Sequence, residues 1–268
     1  TIRIVVAAMI VTGTYLVIEN QTYTSVATAD SHKKDTEDSN QYIAFSDGVI
    51  RYSRDGVVFL NKKNKEKWIQ PCQIQNPIVD VNEDVFAIAD VGGNTIMIFQ
   101  KSGLKGEIET TLPIEKISVS NQGIVSAILK NESTPQIISY DAVGNILVEH
   151  QVNLNSTGYP ISLDMSADGE NLMVSYLSTK NGTLKSMVAF YNFGKEGQEK
   201  TDNLIYTEDF EQTVVPDVFY MDASTSVAVG DKSFVIYEGT KSVKKKTEVK
   251  LNQEIRSEFH SDRYIGFI

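Results

Sequence analysis

The sequence predicts an all-β fold assembled from repeated four-stranded units, and three observations carry that prediction. One hairpin pattern occurs five times: an apolar run ending in an aromatic residue or Leu, a short turn often containing Gly, then a second strand. Its marker residues, Leu60, Phe99, Tyr140, Tyr191 and Tyr237, stand 39, 41, 51 and 46 positions apart, which matches the ~40–50 residues of a four-stranded unit in a radial array. Two more β-rich runs joined by a polar turn precede the hairpins, so each period holds four strands.

Taken in order, the first unit spans residues 42–72 and ends in the hairpin VVFLNKKNKEKWIQ from Val57. Asp-Gly pairs at 47–48 and 55–56 mark its tight turns. The second begins with IVDVNEDVFAIAD from Ile78 and closes with TIMIFQKSGLKGEIET from Thr95. The third joins EKISVSNQGIVSAILK from Glu115 to QIISYDAVGNILVEH from Gln136. The fourth joins ISLDMSADGENLMVSYL from Ile161 to MVAFYNFGKEGQEK from Met187, and the fifth ends with SFVIYEGTKSVKKKTEV from Ser233. Pro77, Pro113, Pro160 and Pro216 stand just before the first strands of units two to five, where a missing backbone donor costs little. Unit boundaries are therefore expected near 75, 112, 159 and 214.

Residues 255–268 supply only a first strand and the start of a second (SEFHSDRYIGFI). Such units bury their faces only against neighbours, so the ring must close. The expectation for residues 41–268 is a β-propeller of five complete blades and the start of another, truncated at the C-terminus. A β-sandwich would need about seven strands and does not fit the roughly twenty counted here.

Ahead of the repeats, residues 4–18 (IVVAAMIVTGTYLVI) form the longest uncharged stretch of the chain. Their length lies between a signal-peptide core and the ~20 residues of a spanning helix. The small-x-small triplet Ala27-Thr28-Ala29 lies far downstream for cleavage, so an uncleaved transmembrane anchor over residues 1–20 is expected, with a polar linker over 21–40. The first residue is Thr, and further residues are expected upstream. Arg3 before the span places the remainder outside the cell, in a single-pass arrangement.

With 41% hydrophobic and 22% charged residues, the composition supports a packed core. A net charge of −10 repels phosphate backbones, and nucleic acid is excluded as a general partner. The run Lys244-Lys245-Lys246 reads as a solvated edge strand. Cys72 is the sole cysteine, which rules out an internal disulfide and a thiolate metal cage. His32, His150 and His260 are scattered and form no ligand motif. No nucleophile-elbow or phosphate-loop motif occurs. Neither metal nor cofactor is expected, and Trp68, the lone tryptophan, is read as packing.

Residues 42–268 resemble a family grouped as domain of unknown function 5711. GVIRYSRDGVVFLN from Gly48, QNPIVDVNEDVFAIAD from Gln75, GEIETTLPIEKISVS from Gly106, YDAVGNILVE from Tyr140, SYLSTKNGTLKSMVAFYNFG from Ser175 and TVVPDVFYMD from Thr213 carry the resemblance, in this order and spacing. It implies a protein of Firmicutes with one N-terminal transmembrane helix and a WD40-like or quinoprotein-like propeller. It implies no activity.

Asp80, Asp164 and Asp222 recur on or beside first strands, which lie nearest the channel of a propeller. Brought together there, carboxylates can perform general acid/base work or hold a cation; the plainer reading satisfies them with backbone amides. The expected function is a membrane-anchored binding or scaffold module, held to the lipid bilayer by its N-terminal helix and presenting a rim to a protein or cell-wall partner. The segments 130–135, 177–185 and 192–202 are its expected long loops. The alternative is a hydrolase or lyase of cell-surface carbohydrate that uses Asp80, Asp164 and Asp222.

Overall fold

The computed structural model describes residues 9–16, 31, 40–131, 134–180 and 182–268. The chain divides into two units, Thr1–Thr36 and Glu37–Ile268. In the first, residues 9–16 form a helix, α1. Most of the expected anchor and linker lies outside the described residues, and among those described no helix is long and apolar enough to cross a membrane.

The second unit is all-β, and its described residues form five four-stranded antiparallel sheets in chain order and a final two-stranded one. The first sheet holds β1 (Gln41–Phe45), β2 (Gly48–Ser53), β3 (Gly56–Asn61) and β4 (Glu66–Pro71), and the second holds β5 (Pro77–Asn82), β6 (Val85–Asp90), β7 (Thr95–Gln100) and β8 (Gly103–Glu109). The third comprises β9 (Ile114–Val119), β10 (Val125–Leu129), β11 (Gln136–Tyr140) and β12 (Ile146–Gln151). The fourth comprises β13 (Tyr159–Met165), β14 (Asn171–Lys180), β15 (Thr183–Asn192) and β16 (Leu204–Glu211). The fifth comprises β17 (Asp217–Tyr220), β18 (Thr225–Val229), β19 (Ser233–Glu238) and β20 (Lys244–Lys250), followed by the pair β21 (Glu258–His260) and β22 (Ile265–Phe267). The expected unit boundaries therefore hold to within a few residues. Pro160 falls inside β13, at a register shift rather than ahead of the strand, a place where a ladder tolerates a missing donor.

Burial follows position in each sheet. Second and third strands such as VFAIAD and TIMIFQ are apolar without alternation because both of their faces are covered. Fourth strands such as KKKTEVK are exposed along most of their length. First strands of successive sheets pack against one another, β5 on β9, β9 on β13 and β13 on β17.

The marker residues have a structural counterpart. In every four-stranded sheet the pairing of third with fourth strand shifts register immediately before the marker: at Phe59/Leu60, Ile98/Phe99, Ser139/Tyr140, Phe190/Tyr191 and Ile236/Tyr237. Such irregularities bend a strand and sharpen its twist, and the large side chain fills the space beneath. Phe99 and Tyr237 are fully buried, and Leu60, Tyr140 and Tyr191 are nearly so.

Sheets meet closely at defined points. A Cβ on Gly106 of β8 would lie 1.8 Å from the Ala142 carbonyl oxygen of the third sheet, so only glycine fits there. Two expected loops are ordered instead. Residues 177–185 are largely the far ends of β14 and β15; their Ser and Thr residues lack the apolar alternation that announces a strand yet suit one. Residues 192–202 carry the short helix α2 (Lys195–Gln198) and most of the 3₁₀ turn η1 (Thr201–Asn203). Cys72, the sole cysteine, is half-buried, with its thiol pushed up by burial and by Asp55.

Candidate functional site

A cavity of about 790 Å³ opens where the first strands of sheets two to five meet the β21–β22 turn. The first strands of these sheets carry small polar residues among their aliphatic ones: Asp80 in β5, Ser118 in β9, Ser162 and Asp164 in β13, and Asp217 in β17. Their hydrogen bonds run between neighbouring sheets. The inner edge of a first strand has no pairing partner, and its N–H groups need acceptors.

The polar residues supply them. Asp80 Oδ2 accepts the Val119 N–H at 2.6 Å, linking the second sheet to the third. Ser118 Oγ donates to Asp164 Oδ1 at 2.8 Å and accepts the Met165 N–H at 2.9 Å, linking the third to the fourth. Asp164 Oδ2 accepts the Tyr220 N–H at 2.6 Å, and Ser162 Oγ donates to Asp217 Oδ1 at 3.0 Å, linking the fourth to the fifth. The outcome is a polar seam through four sheets.

Electrostatics follow from this packing. Burial pushes the Asp80 carboxyl upward, although the N–H of Val119 and the hydroxyl of Ser118 favour its ionised form. Asp164 is raised by burial and then by the charge of Asp80, against the pull of Tyr220 and Ser118. Asp217 is raised by burial, opposed by its bond from Ser162, and raised further by Glu258. His260, from β21, stacks face to face on Phe219 with ring centroids 3.7 Å apart, and its Nδ1 lies 3.1 Å from Glu258 Oε2. Burial opposes its charge, but Glu258, Asp164 and Asp217 together raise its pKa.

Of the three aspartates singled out in the sequence, Asp80 and Asp164 converge on this seam. Asp222 does not. It lies beyond the end of β17, where Oδ1 accepts the N–H groups of Ser224 at 2.6 Å and Thr225 at 2.8 Å. Burial acts to raise its carboxyl, but those bonds leave it below the usual range. It lines the cavity mouth as a satisfied turn residue. Sequence reading missed Asp217, His260 and the two serines. The signal for the first-strand residues was a small polar residue among aliphatic ones; His260 carried none, because apart from Glu258 its partners are tens of residues away in the chain. Among the described residues no three His, Cys, Asp or Glu side chains are arranged to hold a metal ion.

Trp68 is a packing residue. Its ring stacks on Phe99 of the second sheet at 5.1 Å and 8°, and its Nε1 donates to the Lys101 carbonyl at 3.1 Å.

The family model of the family of unknown function DUF5711 matches residues 19–268. A search of curated proteins finds none that matches. Among solved structures, the WD40 domain of Neurospora crassa Pan2 superposes with a TM-score of 0.55 at 13% identity, over 83% of this chain and 68% of that one. A Kuenenia stuttgartiensis hydrazine synthase gives 0.57 at 13% identity, over 87% and 73%. Kluyveromyces lactis Hsv2p gives 0.54 at 10% identity, over 88% and 78%. At such identities the likeness concerns the fold alone: repeated four-stranded sheets of the WD40 kind.

Proposed function

Because the chain belongs to the family of unknown function DUF5711, which passes on no activity, we propose from its own geometry that it is a propeller-type binding module rather than an enzyme. One observation carries this reading. Asp80 and Asp164, the carboxylates best placed for chemistry, are committed to backbone N–H groups of the neighbouring sheet. A general acid or base must be within reach of a substrate proton, whereas these groups hold the inner strands together. What remains for recognition is the cavity mouth and the rim, which a scaffold of this kind positions rigidly. In this reading the sheets close into a ring. The apolar stretch at 4–18 holds the protein to a membrane, and the rim faces a partner of protein or cell wall outside the cell.

The test is retention of purified cell-wall material by the immobilised protein, with soluble sugar release followed in parallel. The double substitution Asp80→Asn and Asp164→Asn keeps acceptor oxygens but removes the charges. Retention without release, unchanged in the double variant, is the expected result. Release that stops in the double variant would replace the binding reading with the hydrolase or lyase. For the anchor, the full chain should sediment with membranes and residues 41–268 alone should not.

A further inference from the structure

His150 is the one buried residue of the outer strand β12, with only 8% of its surface accessible. Its ring lies against Tyr191 and Phe193, with centroids 4.6 and 5.8 Å away, where the chain leaves β15 for α2 and η1. Nε2 is buried and has no hydrogen-bond partner among the described residues. The titratable groups around it are Tyr191, the Tyr176 hydroxyl bonded to that of Tyr191 at 2.8 Å, and Asp202 of η1, whose charge reaches the ring. Both tyrosines are held above their ordinary range, chiefly by burial, and stay neutral from acid to neutral pH. Asp202 and Asn203 sit at φ values of 55° and 58°, a left-handed conformation that Asp and Asn adopt more readily than other side chains.

We propose that His150 is a proton-operated latch: as a neutral ring it lets residues 193–203 close over the edge of the third sheet, and as an imidazolium it releases them. The imidazolium carries two N–H donors. In the closed sandwich Nε2–H would have no acceptor, and a buried cation without a partner is strongly disfavoured. Burial accordingly holds the imidazole below its usual range even though Asp202 works the other way. Water reaches the ring once the segment lifts. Acidification thus frees residues 193–203 from the edge of the third sheet.

The experiment is hydrogen–deuterium exchange of peptides covering residues 193–203 in the whole chain, at about pH 7.5 and about pH 5.5. Wild type is compared with His150→Phe, which fills the same aromatic slot and carries no proton. A histidine in the open form titrates near 6.5. Linkage then makes the wild-type opening constant larger than that of the variant at the lower pH, by at most about tenfold, and nearly equal at the higher one. Equal exchange in both proteins at both pH values would overturn the proposal, as would greater protection of the wild type in acid. If His150→Phe does not fold, the His150 ring is titrated directly by NMR. A value below the free-histidine range coinciding with exposure of 193–203 supports the latch, and a value at or above that range refutes it.

Discussion

Replacement of Asp164 by Asn isolates the electrostatic cost of the polar seam. In the native protein Asp164 accepts from Tyr220 N–H and from Ser118 Oγ. The Asn carbonyl can keep the first bond, while its amide donates to Ser118 Oγ, whose proton is free to rotate away. Geometry is retained and the charge is gone. Burial and the charge of Asp80 raise the native carboxyl, whereas the unfolded chain releases this proton near 3.9. Between those values the folded state binds more protons than the unfolded one. Stability from this group is therefore full in acid and is lost as pH rises toward the folded value. The slope cannot exceed about 1.4 kcal/mol per pH unit, which sets a ceiling of ~3.4 kcal/mol between about pH 5 and about pH 7.5. The side chain stands half-buried on a cavity wall, where water and two hydrogen bonds support the ionised form, so about 1–2 kcal/mol is expected. Urea denaturation of both proteins at the two pH values measures it. The advantage of Asp164→Asn over wild type should be larger at the higher pH by that amount. His150 is the same in both proteins, whereas the charge by which Asp164 raises His260 is lost in the variant, so the comparison is made with His260→Gln present in both. A pH-independent difference, or one that grows toward acid, would refute the reasoning.

Further consequences are simpler to state. Gly106→Ala should cost about 1–3 kcal/mol by driving a methyl group into the Ala142 carbonyl, read as a lower urea midpoint with an unchanged m-value. Ser118→Ala should cost ~1–3 kcal/mol, because it leaves the buried Met165 N–H without its acceptor; a loss near zero would show that cavity water replaces the hydroxyl. Ile98→Ala, at a fully buried position of β7, should cost about 2–5 kcal/mol. By contrast Lys245→Ala, which removes partly exposed pairs to Glu208 and Glu248, should change thermal stability by less than ~1 kcal/mol.

The repeat was legible because each period ends its third strand on a large residue, and the structure shows why: Leu60, Phe99, Tyr140, Tyr191 and Tyr237 each sit at a register shift that needs filling. That demand is local in sequence and recurs with every unit. The seam was only half legible. Asp80 and Asp164 stood out as charges inside apolar runs, but Asp222 was chosen where Asp217 belonged, because strand β17 ends at Tyr220 and periodicity does not mark that end. His260 could not be anticipated from spacing, since it meets Phe219 and the seam carboxylates only through the folding of the last hairpin. The hairpin at 177–185 was misread for a different reason: Ser178, Thr179, Thr183 and Lys185 face solvent or a polar groove, and strand periodicity is weak without a buried face.

The single indole of this chain happens to sit across one joint. Trp68 belongs to the first sheet but rests on Phe99 and Lys101 of the second. Its emission therefore registers the parting of these two sheets and is nearly silent about the other joints. A fluorescence melt of the native protein follows one hinge line, and its comparison with far-ultraviolet dichroism, which averages over all the strands, reveals directly whether these two sheets part first or all the sheets come apart at once.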